Sequence, residues 1–257
     1  MQLKKHIPNF ITILNLVCGV WAILFFLESV FSNFDNSLLP SISKSYSIQK
    51  GLYLILLATI LDFLDGFLAR ILNVKSEIGS QLDSLADMVT FGVAPGFLFY
   101  AIAVLYFPQA EWLKYLFVLI PTFSAIRLAV FNVDEEQTTY FKGLATPANA
   151  MFWVGIAFLL IHYQYRLIQL SYIKYFIAFL VVTLSLLMVS NLRMFSLKLK
   201  NLKLEGDNIY RVTLIVGAII LTIIVGLFTN ILVAIPFIIL LYILLSIGYH
   251  FNTKTKN

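Results

Sequence analysis

The chain has 257 residues, 60% of them hydrophobic and 12% charged, with a mean hydropathy of +0.91. Soluble domains carry about 25% charged residues and disordered chains are poor in apolar ones, so both classes are excluded. The formal charge of +5 has no basic, aromatic-rich soluble face to carry it, which excludes a nucleic-acid binder and leaves a multi-pass membrane protein.

In chain order, apolar runs bounded by polar clusters predict an all-α integral membrane protein of about eight spans. They lie near residues 10–31, 51–71, 82–106, 112–131, 147–164, 172–190, 209–229 and 231–249. The short alternating segments of a β-barrel are absent from the sequence. The first run follows Lys4 and Lys5 in the manner of a secretory leader. It is longer than a leader's apolar core and no small-residue cleavage site follows, so it is read as a retained span. Cys18 is the single cysteine, which excludes an intrachain disulfide.

Eight spans put both termini on one side of the bilayer. That side then holds Lys4, Lys5, Arg70, Lys75, Arg127, Lys142, Arg193, Lys198, Lys200, Lys203, Arg211, Lys254 and Lys256, 13 of the 18 basic residues. The positive-inside rule makes it the cytoplasmic side of the cell membrane. The trio Lys198, Lys200 and Lys203 reads as a topology determinant or as a contact with anionic headgroups.

Four carboxylates stand in or beside the second and third spans, where an ionisable residue is costly and marks function by default. Asp62 and Asp65 are spaced i, i+3; Asp83 and Asp87 are spaced i, i+4. Each pair projects from one helix face. The short link 72–81 returns the chain antiparallel, so the two faces can converge. Converging carboxylates repel unless a cation lies between them, and all-oxygen ligands suit Mg²⁺ or Mn²⁺, with Ca²⁺ as a further occupant. The three histidines are scattered, so zinc is not expected. Gly66 in a helix interior reads as close approach of a ligand or of a neighbouring helix. Arg70, one turn on, can hold a phosphate or snorkel.

The string Asp62-x-x-Asp65-Gly66-x-x-Ala69-Arg70, eight residues, then Gly79-x-x-x-Asp83-x-x-x-Asp87 fixes eight positions over 26 residues. It resembles the signature of the CDP-alcohol phosphatidyltransferase family at every fixed position. Further segments are similar to the membrane-type phosphatidylserine synthase branch. They are Pro8-Asn9 with Thr12 and Asn15-Leu16-x-Cys18-Gly19, Asp83-Ser84-Leu85-Ala86-Asp87 running into Phe91-Gly92-Val93-Ala94-Pro95, Ser124-Ala125-x-Arg127, and Met188-Val189-Ser190-Asn191-x-Arg193. Gly143-Leu144-Ala145-Thr146-Pro147 departs from that branch at Ala145, where it usually has Pro.

This resemblance implies a helical bundle with its active site at the cytoplasmic interface. It implies transfer of a phosphatidyl group from CDP-diacylglycerol to L-serine with release of CMP. Residues 1–195 would form the catalytic core, and 196–257 a linker plus two C-terminal spans, within one membrane domain. Two divalent cations would sit on Asp62, Asp65, Asp83 and Asp87, with Asp87 as general base. Gly66, Ala69, Arg70 and Gly79 would belong to the CDP-diacylglycerol side. The polar stripe Asn9, Thr12 and Asn15 is placed against the nucleotide or phosphates, with helix–helix hydrogen bonding as the other reading. Arg127 and Arg193 are candidates for the serine carboxylate, with Asn132 and Asn191 beside them. The resemblance also implies a homodimer. Two alternatives stand: transfer to another alcohol (glycerol 3-phosphate, inositol phosphate or choline), and a cation transporter using the four aspartates. The transporter reading lacks matching carboxylates in the second half of the chain.

Overall fold

The structure, a computed structural model, describes residues 3–32, 40–74, 77–134, 140–167, 170–196, 206 and 208–254. Helix α1 (Leu3–Phe31) pairs along its length with α2 (Pro40–Ile71). Helix α2 begins well before the predicted span because the Ser- and Lys-containing stretch ahead of residue 51, too polar to read as a span, extends the same helix.

Helix α3 (Glu77–Asp87) runs through a π-helical turn, Met88–Val93, into α4 (Ala94–Tyr106). Nothing in the sequence pattern announces the π turn, which fits against α1. Thr90 Oγ1 donates to the Asn15 carbonyl at 3.2 Å, and a Cβ at Gly19 would collide with Thr90. Such turns are frequent at functional sites, and this one starts at the residue after Asp87.

A 3₁₀ segment, Glu111–Val118, leads into α5 (Leu119–Val133); α6 (Thr146–Leu167) and α7 (Ile173–Met188) follow. Helix α8 (Asn208–Phe228) and α9 (Ile235–Lys254) close the described chain. The core lies between α4 and α6, where Phe99 meets the fully buried Trp153 edge to face at 5.0 Å. Helix α8 instead exposes Ile215, Val216, Ile219, Ile220, Ile223 and Ile224, an apolar surface of the kind a lipid-facing helix presents.

Among the described residues seven helices are long and apolar enough to cross a bilayer. The predicted sixth span, 172–190, is the 16-residue α7, about 24 Å long at 1.5 Å per residue and short of a ~30 Å hydrocarbon core.

Two three-residue strands add to the predicted helices. Strand β1 (Tyr140–Lys142) pairs antiparallel with β2 (Arg193–Phe195), in the register Tyr140↔Phe195, Phe141↔Met194, Lys142↔Arg193. Just after β1 the Gly143 amide donates to the Leu192 carbonyl at 2.9 Å, and the Leu144 amide donates to the Leu187 carbonyl at 3.1 Å. Gly143 has a φ of +72°, and a Cβ there would collide with the Met188 carbonyl, so only glycine fits. The α5–α6 connection is thereby stitched to the end of α7.

One end of the bundle gathers the polar groups. Thr12 bonds Asp65, Ser84 bonds Asn132, Arg127 bonds Thr146, and Arg193 bonds His250. These contacts join the ends that the charge distribution places on one side. Lys75, Lys198, Lys200, Lys203 and Lys256, also used in that argument, lie outside the described residues.

Candidate active site

The last turns of α2 and all of α3 present the signature residues to each other. Carboxylate oxygens of Asp62, Asp83 and Asp87 lie within 4.8 Å of one another. At that distance two full charges repel by about 3–4 kcal/mol at an effective dielectric of ~20. Asp83 Oδ1 and Asp87 Oδ1 are buried without a hydrogen-bond partner. Buried acceptors are rarely left so, and the arrangement fits a hard divalent cation that would take up those lone pairs. Arg127 is a cation within electrostatic reach of Asp87.

Asp65 stands apart from this trio. It is buried, and its Oδ2 accepts a 2.7 Å hydrogen bond from Thr12 Oγ1. The Thr12 hydroxyl also lies 3.1 Å from the Pro8 carbonyl, but its one proton favours the charged acceptor. Thr12, expected against the phosphates, therefore holds a signature carboxylate in place. Such supports to a ligand set matter about 10–100-fold in metal affinity. Thr12→Val is expected to weaken Mn²⁺ binding by about that factor, with Thr12→Ser restoring it, as read by electron paramagnetic resonance titration. Equal affinity in all three proteins would remove this role.

A cleft of about 540 Å³ opens beside the carboxylates, lined by Asn9, Thr12, Asp65, Gly66, Ala69, Gly79 and Asp83, together with Pro8, Val74, Glu77 and Ser80. Five of the seven residues expected on the CDP-diacylglycerol side thus share one cavity. A Cβ built on Gly66 meets nothing within 4 Å, so this glycine serves an open cradle rather than helix packing.

The other two lie elsewhere. Asn15 is fully buried one turn deeper in α1 and is not among the cleft residues; both of its side-chain polar atoms lack partners. Arg70 turns back, its Nε donating to the Gly66 carbonyl at 2.9 Å. Basic residues in a last helical turn commonly satisfy the free carbonyls there. Its side chain instead borders a second, largely apolar groove of about 670 Å³ between α2, α6, α8 and α9, walled by Phe63, Met151, Leu214, Ile238 and Tyr242 among others.

The four expected serine contacts also divide. Arg127 and Asn191 line a pocket of about 130 Å³ with Lys142, Ser190, Phe131 and Met188. Arg127 is buried, lies 5.5 Å from the Phe131 ring centroid, and leaves Nε without a partner. Asn132 is exposed outside the pocket, donating to Ser84 Oγ at 3.0 Å. Arg193 belongs to β2, its amide donating to His250 Nδ1 at 3.1 Å, and does not line the pocket. Lys142, whose Nζ donates to Asp134 Oδ2 at 2.8 Å, and Ser190 line the same pocket; the sequence reading has Ser190 only as part of the Met188–Arg193 motif. The sequence reading counts Lys142 only as a topology charge, although its place directly before Gly143 is a usable signal.

An apolar helical bundle with a half-buried carboxylate cluster beside a cleft is a polytopic membrane protein whose acidic group fits a hard cation at one end. The chain belongs to the CDP-alcohol phosphatidyltransferase family, whose profile matches residues 5–189. Members are generally divalent-cation dependent, in keeping with the aspartate cluster.

Three relatives bear the name CDP-diacylglycerol–serine O-phosphatidyltransferase. That of Bacillus subtilis (strain 168) is 36% identical over 157 residues, 60% of this chain and 76% of the relative. That of Helicobacter pylori (strain 26695) is 34% identical over 152 residues, 59% and 62% of the two chains. That of Saccharomyces cerevisiae (strain S288c) is 34% identical over 167 residues, 62% and 55%. The match thus spans less than two thirds of the last two relatives.

Proposed function

We propose that this chain transfers the phosphatidyl group of CDP-diacylglycerol to L-serine, giving phosphatidylserine and CMP. The observation that carries the reading is the convergence of Asp62, Asp83 and Asp87 beside a cleft lined by Asp65, Gly66, Ala69 and Gly79 of the signature. The names of the relatives favour serine over glycerol 3-phosphate, inositol phosphate or choline. Family membership also removes the ground for the cation-transporter reading.

Asp62, Asp65, Asp83 and Asp87 would hold two divalent cations, Mg²⁺ or Mn²⁺. Bound there, the cations would supply Lewis-acid neutralisation of charge on the diphosphate oxygens. The cleft at Asn9, Gly66, Ala69 and Gly79 takes the cytidine diphosphate. The apolar groove bordered by Arg70 suits the acyl chains. The pocket at Arg127, Lys142, Ser190 and Asn191 orients serine through charge-assisted hydrogen bonds to its carboxylate. The serine oxygen forms a bond to the phosphatidyl phosphorus as the bond from that phosphorus to the CMP oxygen breaks, and Asp87 takes the hydroxyl proton. No covalent enzyme intermediate is needed.

The excess of basic residues that the predicted spans assign to one side supports a cytoplasmic site, from which water-borne serine and cytidine can enter. Residues 1–195 act as the catalytic core of a single membrane domain, and the enzyme works as a homodimer.

The test is CMP release by the purified protein with CDP-diacylglycerol and Mn²⁺, each alcohol being added separately. Serine-dependent release is expected. Release with another alcohol alone would discard the serine assignment and keep the family.

A further inference from the structure

The family match ends at residue 189, so α8 and α9 lie outside it. They nevertheless hold the wall of the acceptor pocket. Three residues in and just after β2 are bonded to them. The Arg193 amide donates to His250 Nδ1 at 3.1 Å, the Phe195 carbonyl accepts from Tyr242 OH at 3.2 Å, and the Ser196 carbonyl accepts from Arg211 Nε at 2.6 Å. Phe195 is fully buried, with the rings of Tyr242, Tyr249 and Tyr210 at 5.1, 6.1 and 6.0 Å.

Strand β2 is therefore gripped on one side by the C-terminal hairpin and paired on the other with β1, where Arg193 faces Lys142. Lys142 and Asn191, at the two sides of this pairing, both border the small pocket.

We propose that the α8–α9 hairpin is part of the acceptor side of the catalytic centre, with Tyr242 as a positioning residue that fixes β2 and, through β1, the Lys142 edge of the acceptor pocket. A three-residue strand pair is too short to hold its own register. Its precision comes from the groups that satisfy its free backbone edge. Tyr242 meets that edge at the middle of the aromatic cluster, while its ring also borders the apolar groove. The hairpin thus touches the lipid side and the acceptor side at once. This inference rests on the serine-transfer reading above.

The test uses full-length protein, wild type against Tyr242→Phe, which removes the hydroxyl and keeps the ring, and against His250→Ala, which removes a second tie. The readouts are kcat, the KM values for serine and CDP-diacylglycerol, Tm, and amide exchange over 140–144 and 192–196. Both variants are expected to raise the serine KM about fivefold, the size of one net hydrogen bond. The donor KM and kcat should stay within about twofold, Tm should fall by no more than a few degrees, and exchange should quicken only at the strand pair. A joint shift of Tm, kcat and both KM values would reduce the hairpin to a support of the bundle and overturn the proposal. So would an unchanged serine KM. If wild type uses a different alcohol, the serine reading fails, and the same KM split measured with that alcohol decides the inference. If wild type releases no CMP with any alcohol, the transfer reading fails and this inference falls with it.

Discussion

Asp87→Asn is expected to lower kcat by about 10²–10⁴, the usual contribution of a positioned general base. This is about 3–5 kcal/mol of transition-state free energy. Asparagine has nearly the shape of aspartate, so the packing at the start of the π turn is kept while the proton acceptor is lost. Asp87 does not line the donor cleft, so the KM for CDP-diacylglycerol should change far less than kcat. Because Asp87 also belongs to the carboxylate trio, kcat must be measured at saturating Mn²⁺, with Mn²⁺ binding followed separately. Full recovery of kcat on raising Mn²⁺ would leave Asp87 as a ligand only.

Most of the carboxylate cluster is legible in the sequence because helical spacing decides which side chains share a face. Asp62, Asp83 and Asp87 need only a short antiparallel link to converge, whereas Asp65, paired with Asp62 by spacing, is held by Thr12 instead. Periodicity does not say which cavity a face meets. It puts Thr12 with Asn9 and Asn15 on one stripe, yet only Asn9 and Thr12 line the cleft, Thr12 also bonding the Asp65 carboxylate, while Asn15 is buried at the α1–π turn contact. Arg70 follows the same rule. Its position in the last turn of α2 gives it a partner on its own helix, the Gly66 carbonyl.

The parts that are not legible depend on contacts distant in sequence. The π turn is set by Thr90 against Asn15, 75 residues away. The strands β1 and β2 are three residues each, below the length at which alternation can show, and they exist because α9 and α7 hold them. That pairing turns Lys142 from a loop charge into a pocket residue. The exposed apolar faces of α1, α2 and α8 are readable as lipid-facing from hydropathy, whereas the grip of α9 on β2 is not.

Gly66→Ala is expected to move stability and activity in opposite directions. In a helix interior alanine is favoured over glycine by about 1 kcal/mol, and the added methyl meets no atom within 4 Å. The variant should therefore fold at least as stably as wild type, with an equal or higher Tm. The same open space belongs to the cleft proposed for the donor. A methyl there would lift the diphosphate from its place, and a misplacement of ~1 Å at a reacting centre costs about 10²-fold in rate. The expected result is a fall of about that size in kcat/KM for CDP-diacylglycerol, with the serine KM unchanged. If Gly66 were instead a packing glycine, Tm would drop along with activity. A variant with full activity would show that the donor does not approach this turn of α2.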